Sequence, residues 1–365
     1  MMAKDLVCSC VRRITPYSPG KFSKEVMEEL GLTEVHKLAS NENPLGPSPK
    51  AVEAMREALT EVHVYPDPVC RELTAALAQR LEVCADSIVV GRGSDEIIHM
   101  LGLAFVNPGE EVVYSAMPFA LYPMTTHICD GVPREVPARG FEHDLAAMAD
   151  AITDMTKLVI IGNPCNPTGT ISRRDEVRWF MDRVPEDVIV LFDEAYFEYV
   201  DDPDYPDCLE YVREGRNVVV MRTFSKAYGL AGLRIGYGVA GPCVAEGLKL
   251  VRPPFNVATL AQVAALAALD DEAHLRASVD LVHEGRAYLY RELDSMGLTY
   301  VPTQANFILL DTGLDSSEVF DALMRRGITV RTGDIFGLPT YIRVSFGTMA
   351  QNRLFVAALR EVTGR

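Results

Sequence analysis

Five short apolar runs punctuate the middle of the chain: Ser87 to Gly91, Glu111 to Ser115, Leu158 to Gly162, Val188 to Phe192 and Val218 to Met221. They are rich in Val and Ile and mostly lack polar alternation, as strands do when both faces are covered. Separated as they are by helical stretches, they predict an α/β fold with a mostly parallel central sheet and helices on both faces. From about Thr259 the pattern changes. Leu275, Val279, Val282, Leu289, Leu293 and Met296 recur three, four or seven residues apart along one helical face, and Gly297 supplies a stop. An extended run at Asn306 to Leu310, a helix around Val319 to Arg326 closed by Gly327, and a strand at Tyr341 to Phe346 complete a smaller α+β unit. The expected division is an irregular arm and linker over 1–50 that packs with the small unit, a large domain over 51–255 and a small C-terminal domain over 256–365.

Composition narrows the partners. Among 365 residues, 48% are hydrophobic and 24% charged, which excludes a disordered or low-complexity chain. Lys and Arg number 35 against 51 Asp and Glu, and the net charge of −16 repels nucleic acid and anionic membranes. The best apolar stretch, Val257 to Leu269, is too short to span a bilayer and contains Thr259 and Gln262. Met1 to Arg13 has no apolar core followed by a cleavage site, so a cytoplasmic location is expected. The eight cysteines form no C-x-x-C, and H-E-x-x-H is absent, so neither a disulfide framework nor a metal site is expected.

In open α/β sheets ligands sit beyond the carboxyl ends of the strands, so the residues after each run carry the chemistry. Gly91-Arg92-Gly93-Ser94-Asp95-Glu96 is a glycine turn before a helix, able to cradle a phosphate on backbone amides. Asp95 and Glu96 serve equally as first-turn charges, and the third glycine of G-x-G-x-x-G is missing. Asn163-Pro164-Cys165-Asn166-Pro167-Thr168-Gly169 holds two Asn-Pro turns, a structural device in its own right. Asp193-Glu194-Ala195-Tyr196 follows five apolar residues, where a buried carboxylate needs a cation or a strong donor. The fourth end, Arg222 to Arg234, crowds hydroxyls, glycines, Lys226 and arginines together.

Spacing joins these ends. Asn166 and Asp193 are 27 residues apart, and Asp193 and Lys226 are 33 apart, each close to one βαβ unit. Successive crossovers therefore return an amide, an acid and an amine to one edge. Pyridoxal 5'-phosphate wants that set: its aldehyde condenses with an amine, its ring nitrogen is a cation when protonated, and its phosphate needs amides, hydroxyls and an arginine.

With these motifs the chain resembles the class I/II aminotransferases, pyridoxal-phosphate enzymes of fold type I, and most closely their histidinol-phosphate branch. Pro16 to Lys21, Leu38 to Pro44, Tyr65 to Asp67, Ala305 to Phe307 and Tyr341 to Val344 fall in that branch's order. The resemblance implies that Lys226 is the Schiff-base lysine, that Asp193 pairs with the ring nitrogen, and that Tyr196 and Asn166 hydrogen-bond the phenolate oxygen. It implies that Phe119 stacks on the ring, although a core phenylalanine would look the same. Implied phosphate ligands are Ser94 and Asp95 through amides, Thr223 and Ser225 through hydroxyls, and Arg234 through a bidentate fork. Tyr65 resembles a residue that reaches the neighbouring subunit's cofactor, so a homodimer is implied. Arg343 resembles the arginine that grips the substrate anion. Arg331 is its expected helper or else a surface charge, and Tyr17 and Asn43 are expected to line the substrate pocket. Cys165, where the branch usually has asparagine, and Arg92 within the phosphate loop are departures that remove no catalytic group.

The implied reaction moves the amino group of L-histidinol phosphate to 2-oxoglutarate, giving imidazole acetol phosphate and glutamate. An aromatic amino-acid aminotransferase and a phosphothreonine decarboxylase of the same fold share the cofactor residues. A non-catalytic pyridoxal-phosphate-binding regulator is disfavoured by the presence of Lys226, the net charge, and the lack of room before Tyr17 for a helix-turn-helix.

Overall fold

The computed structural model describes residues 6–16 and 23–365. In chain order its first strands are β1 (His36–Lys37), β2 (Ile88–Gly91), β3 (Glu111–Ser115), β4 (Val132–Val136), β5 (Thr156–Gly162), β6 (Ile189–Asp193), β7 (Val218–Thr223) and β8 (Gly236–Ala240). Seven of these form one sheet in the order β2-β8-β7-β6-β5-β3-β4. Strands β7, β6, β5, β3 and β4 run parallel, and β8 is antiparallel to both of its neighbours. The α/β class and the mostly parallel sheet expected from the sequence are present.

The absence of polar alternation has a direct cause. Val89, Val112, Ile160, Leu191 and Val219 point into one apolar cluster. Their chain neighbours Val90, Val113, Ile161, Phe192 and Val220 point into the cluster on the other face. Successive side chains of a strand face opposite ways, so a sheet covered twice needs apolar residues at every position. Two strands of this sheet are not anticipated by the sequence pattern. Edge strand β4 has mostly exposed or half-exposed side chains, and β8, Gly236-Tyr237-Gly238-Val239-Ala240, carries glycines that mask a strand pattern.

A second core gathers Val282, Leu289, Leu293, Phe307, Leu310, Val344 and Phe355. Here β9 (Thr299–Val301), β10 (Phe307–Asp311), β11 (Ile328–Thr329), β12 (Arg331–Thr332) and β13 (Tyr341–Ser345) complete the strand set. Four of them form an antiparallel sheet, β12-β13-β10-β9. The apolar stripe from Leu275 to Met296 is one helix of 25 residues, Glu272–Met296, ended by Gly297 in the left-handed conformation. The helix expected around Val319 to Arg326 is Ser316–Met324, moved toward the N-terminus because Asp315 caps it.

The N-terminal arm is less irregular than its Pro and Gly content implied. It holds a helix, Ser23–Leu30, and β1, which pairs parallel with β11. Among the described residues no helix is long and apolar enough to cross a membrane, and no group of three or more His, Cys, Asp or Glu side chains could hold a metal ion.

One buried contact joins the arm to the long helix. Ser48 caps helix Pro49–Ala58 by accepting from the Ala51 amide, and its hydroxyl donates to Asp271, the cap of Glu272–Met296, at 2.6 Å. That hydrogen bond, with the His274 amide, holds the Asp271 carboxyl below its ordinary pKa, so its stabilisation is present at neutral pH and lost as pH falls through the depressed value. Ser48→Ala is expected to cost about 1–2 kcal/mol at pH 7 in urea unfolding. The cost should shrink in acid once Asp271 is protonated, and a pH-independent cost would contradict this origin.

Candidate active site

Register brings the expected acid, amine and amide together. Gly162 of β5 pairs with Asp193 of β6, and Asp193 pairs with Met221 of β7. The turns carrying Asn166, Tyr196 and Lys226 thus leave one edge side by side. Asp193 is only 8% exposed, and both carboxylate oxygens accept hydrogen bonds, from the Tyr122 hydroxyl at 2.8 Å and the Ala195 amide at 3.2 Å. Burial raises its pKa to about 6, while these two donors and Lys226 restrain the rise, so the group is ionised at neutral pH.

Lys226 donates to the Ser40 carbonyl at 3.2 Å, and its ammonium lies 5.7 Å from the centre of the Tyr196 ring. Burial, and then the Arg343 guanidinium, lower its pKa to about 8 against the pull of Glu42 and Asp95. Tyr196 packs edge-on against Phe307. Its hydroxyl accepts from the side-chain amides of Asn41 at 3.0 Å and Asn166 at 3.3 Å. The Asn166 carbonyl oxygen in turn accepts from Arg343 Nη1 at 2.6 Å, and Arg343 Nη2 donates to the Ala39 carbonyl at 2.9 Å.

A second cluster lies where helix Ser94–Phe105 begins. Gly93 precedes it at φ +79°, and a Cβ there would stand 2.7 Å from Arg234 Nη2, so only glycine lets the guanidinium lie against the turn. Arg234 donates to the Ser225 hydroxyl at 3.3 Å and to Asp95 at 2.9 Å. The Ser225 amide donates to Thr223 Oγ1 at 3.1 Å. First-turn amides of Ser94 and Asp95, two hydroxyls and a guanidinium make an anion cradle in which the helix dipole favours negative charge. Glu96 does not compete there, because its carboxylate accepts from the Arg92 amide and from Asn256.

Beside Tyr122 and Asn166 is a small cleft also lined by Ser115, Phe119, His143 and Cys165. Phe119 meets Tyr122 edge to face. Arg331 of β12 stands directly opposite Arg343 of β13, so the two side chains leave the same face of the small sheet.

Two expected residues make other contacts. Tyr65 is 78% exposed and stacks on Phe255. Asn43 commits its amide to the Ala227 carbonyl and Ser278 Oγ, which makes it a clamp between arm, lysine loop and long helix. Tyr17 lies outside the described residues. Sequence reasoning missed Tyr122 and Asn41. Tyr122 sits three residues after Phe119, a spacing that could have flagged it, whereas nothing in Leu38 to Pro44 singles out Asn41 over Asn43.

This fold and donor set define a family, and the comparisons agree. The model of aminotransferase class I and II matches residues 33–359, and the chain belongs to that family. It is 53% identical over 350 residues to the histidinol-phosphate aminotransferase of Moorella thermoacetica, covering 96% of this chain and 91% of that one. Against the histidinol-phosphate aminotransferase of Caldicellulosiruptor saccharolyticus the identity is 45%, covering 96% and 98%. Among solved structures, the histidinol-phosphate aminotransferase of Sinorhizobium meliloti in complex with pyridoxal-5'-phosphate superposes with a TM-score of 0.88 at 30% identity, covering 96% of this chain and 98% of that chain.

The half-buried amine yields a stability test. Its folded pKa lies below the ordinary 10.5, so the charged form costs stability below about pH 8, and the cost fades as pH rises toward 10.5. In cofactor-free protein Lys226→Met is therefore expected to raise stability at pH 7 by roughly 2 kcal/mol, read as an increase in Tm. The gain should vanish near pH 10.5, and a gain unchanged with pH would contradict the assignment.

Proposed function

We propose that this chain is a pyridoxal-phosphate-dependent aminotransferase that moves the amino group of L-histidinol phosphate to 2-oxoglutarate, with Lys226, Asp193 and Tyr196 as its catalytic residues. The donor set fits the cofactor. A glycine turn that any Cβ would fill opens the anion cradle, and a buried acid ends β6, beside the strand whose following turn carries the amine. When bound, pyridoxal phosphate supplies an aldehyde for imine formation and a ring that takes up electron density. Ser94, Asp95, Thr223, Ser225 and Arg234 would hold its phosphate, Phe119 would cover the ring, and Asn166 and Tyr196 would hold the phenolate oxygen.

Lys226, with its pKa near 8, is partly neutral at physiological pH, so Nζ can act as a nucleophile and then carry a proton at the substrate α-carbon. Asp193 supplies the negative charge that would pair with a protonated ring nitrogen, and Tyr122 fixes the orientation of that carboxylate.

One observation carries the substrate reading: Arg331 and Arg343 stand opposite each other across β12 and β13. Two guanidinium groups displayed on one face suit an anionic ligand. A phosphate-bearing donor and a dicarboxylate acceptor both meet this demand, and a planar guanidinium accepts either anion. The close relatives named above carry the same activity in their names. Tyr65, exposed beside Val62, Val64 and Phe255, is read as a residue that reaches the partner subunit's cofactor in a cytoplasmic homodimer.

The purified enzyme is expected to show a kcat/KM for L-histidinol phosphate at least roughly a hundredfold above that for phenylalanine, measured side by side with 2-oxoglutarate. A higher value for phenylalanine would overturn the substrate assignment. Lys226→Ala should abolish transamination while the fold persists, and near-normal turnover would discard the mechanism.

A further inference from the structure

The segment Leu38 to Asn41 runs between the lysine loop and the small sheet, and all four of its carbonyls accept hydrogen bonds. Ser345 donates its amide to the Leu38 carbonyl. Arg343 donates to the Ala39 carbonyl and Lys226 to that of Ser40. Asn41 ends the segment, 1% exposed and in the left-handed conformation at φ 57°. Asparagine tolerates that conformation better than most residues, and here it also brings an amide side chain. Its backbone amide donates to Ser345 Oγ at 2.8 Å, Ser345 Oγ donates back to Asn41 Oδ1 at 2.9 Å, and Asn306 donates to the Asn41 carbonyl at 3.0 Å.

These bonds leave the Asn41 amide nitrogen facing the Tyr196 hydroxyl at 3.0 Å. Asn166 is fixed in the same sense, because a guanidinium can only donate and Arg343 occupies its carbonyl oxygen. Two N–H donors therefore converge on one phenolic oxygen. We propose that Asn41 is a positioning residue for Tyr196, which pins the phenol to the arm and to β13 and strengthens the hydrogen bond its own proton gives to the cofactor's phenolate oxygen. Donation to an oxygen polarises its O–H, and bonds in such a chain reinforce one another. Ser345 is two residues beyond Arg343 on the same face of β13, so the arm ties the phenol to the strand that displays the substrate arginine. The proposal rests on the cofactor reading above, and its test separates the two.

The test uses holoenzyme and follows the visible absorbance of the lysine-bound cofactor against pH. Asn41→Gly keeps the positive φ without strain, and Asn41→Ser lacks the reach. Each is expected to raise the midpoint by about one unit, a tenfold gain in proton affinity. Arg343, Arg234, Glu42 and Asp95, which set the charge around Lys226, are common to every variant. In a Tyr196→Phe background neither substitution should shift the midpoint further, because the effect passes through the phenol. An unchanged midpoint, or an equal shift in the Tyr196→Phe background, would overturn the proposal.

A second readout needs no cofactor. In protein carrying 13C-labelled tyrosine, the Tyr196 Cζ resonance, assigned with Tyr196→Phe, should move in both Asn41 variants while that of Tyr228 stays. A Tyr196 resonance that stays in place overturns the Asn41 role. If it moves but the wild type forms no visible band with pyridoxal phosphate, the cofactor reading fails and the positioning role stands.

Discussion

A buried carboxylate and a half-buried amine are held at neighbouring strand ends, each displaced from its ordinary proton affinity by its surroundings. Isolated, either charge would be expensive to keep. Asp193 is kept ionised by two donors rather than by a direct ion pair, and Lys226 is brought toward neutrality by burial and by the arginines around it. The rest of the structure serves this arrangement. Three parallel strands in register deliver both groups and the Asn166 turn to one edge, and two apolar faces make the sheet rigid enough to hold them there.

Around that pair the polar groups form a connected chain. Arg343 reaches Asn166, Asn166 reaches Tyr196, and Asn41 reaches Tyr196 from the other side. This links the small sheet, the large sheet and the N-terminal arm through one phenol. The anion cradle at helix Ser94–Phe105 is a separate cluster joined to the lysine loop by Arg234 and Ser225. A ligand spanning both clusters would bridge the amine, the acid and the cradle at once, a demand that few molecules other than a phosphorylated pyridine aldehyde satisfy.

Much of this was legible in the sequence because the relevant signals are local. Val218 to Met221 reads as a strand covered on both faces, Lys226 follows it after a fixed turn, and the spacings from Asn166 to Asp193 to Lys226 match crossover units. What stayed hidden depends on contacts distant in sequence. Strand β8 carries glycines where strand formers are usual, and its register with β2 and β7 cannot be read from Gly236 to Ala240 alone. The Asn41 amide acquires its role from Tyr196 and Ser345, which are 155 and 304 residues away. Asn43, two positions on, has the same chemistry and a different destination, since its amide clamps Ala227 and Ser278.

The most direct measurement is borohydride reduction of the protein supplied with pyridoxal phosphate, followed by peptide mapping. A pyridoxyl adduct on Lys226 and on no other lysine is the predicted result. An unmodified Lys226, or a label spread over surface lysines, would contradict the account.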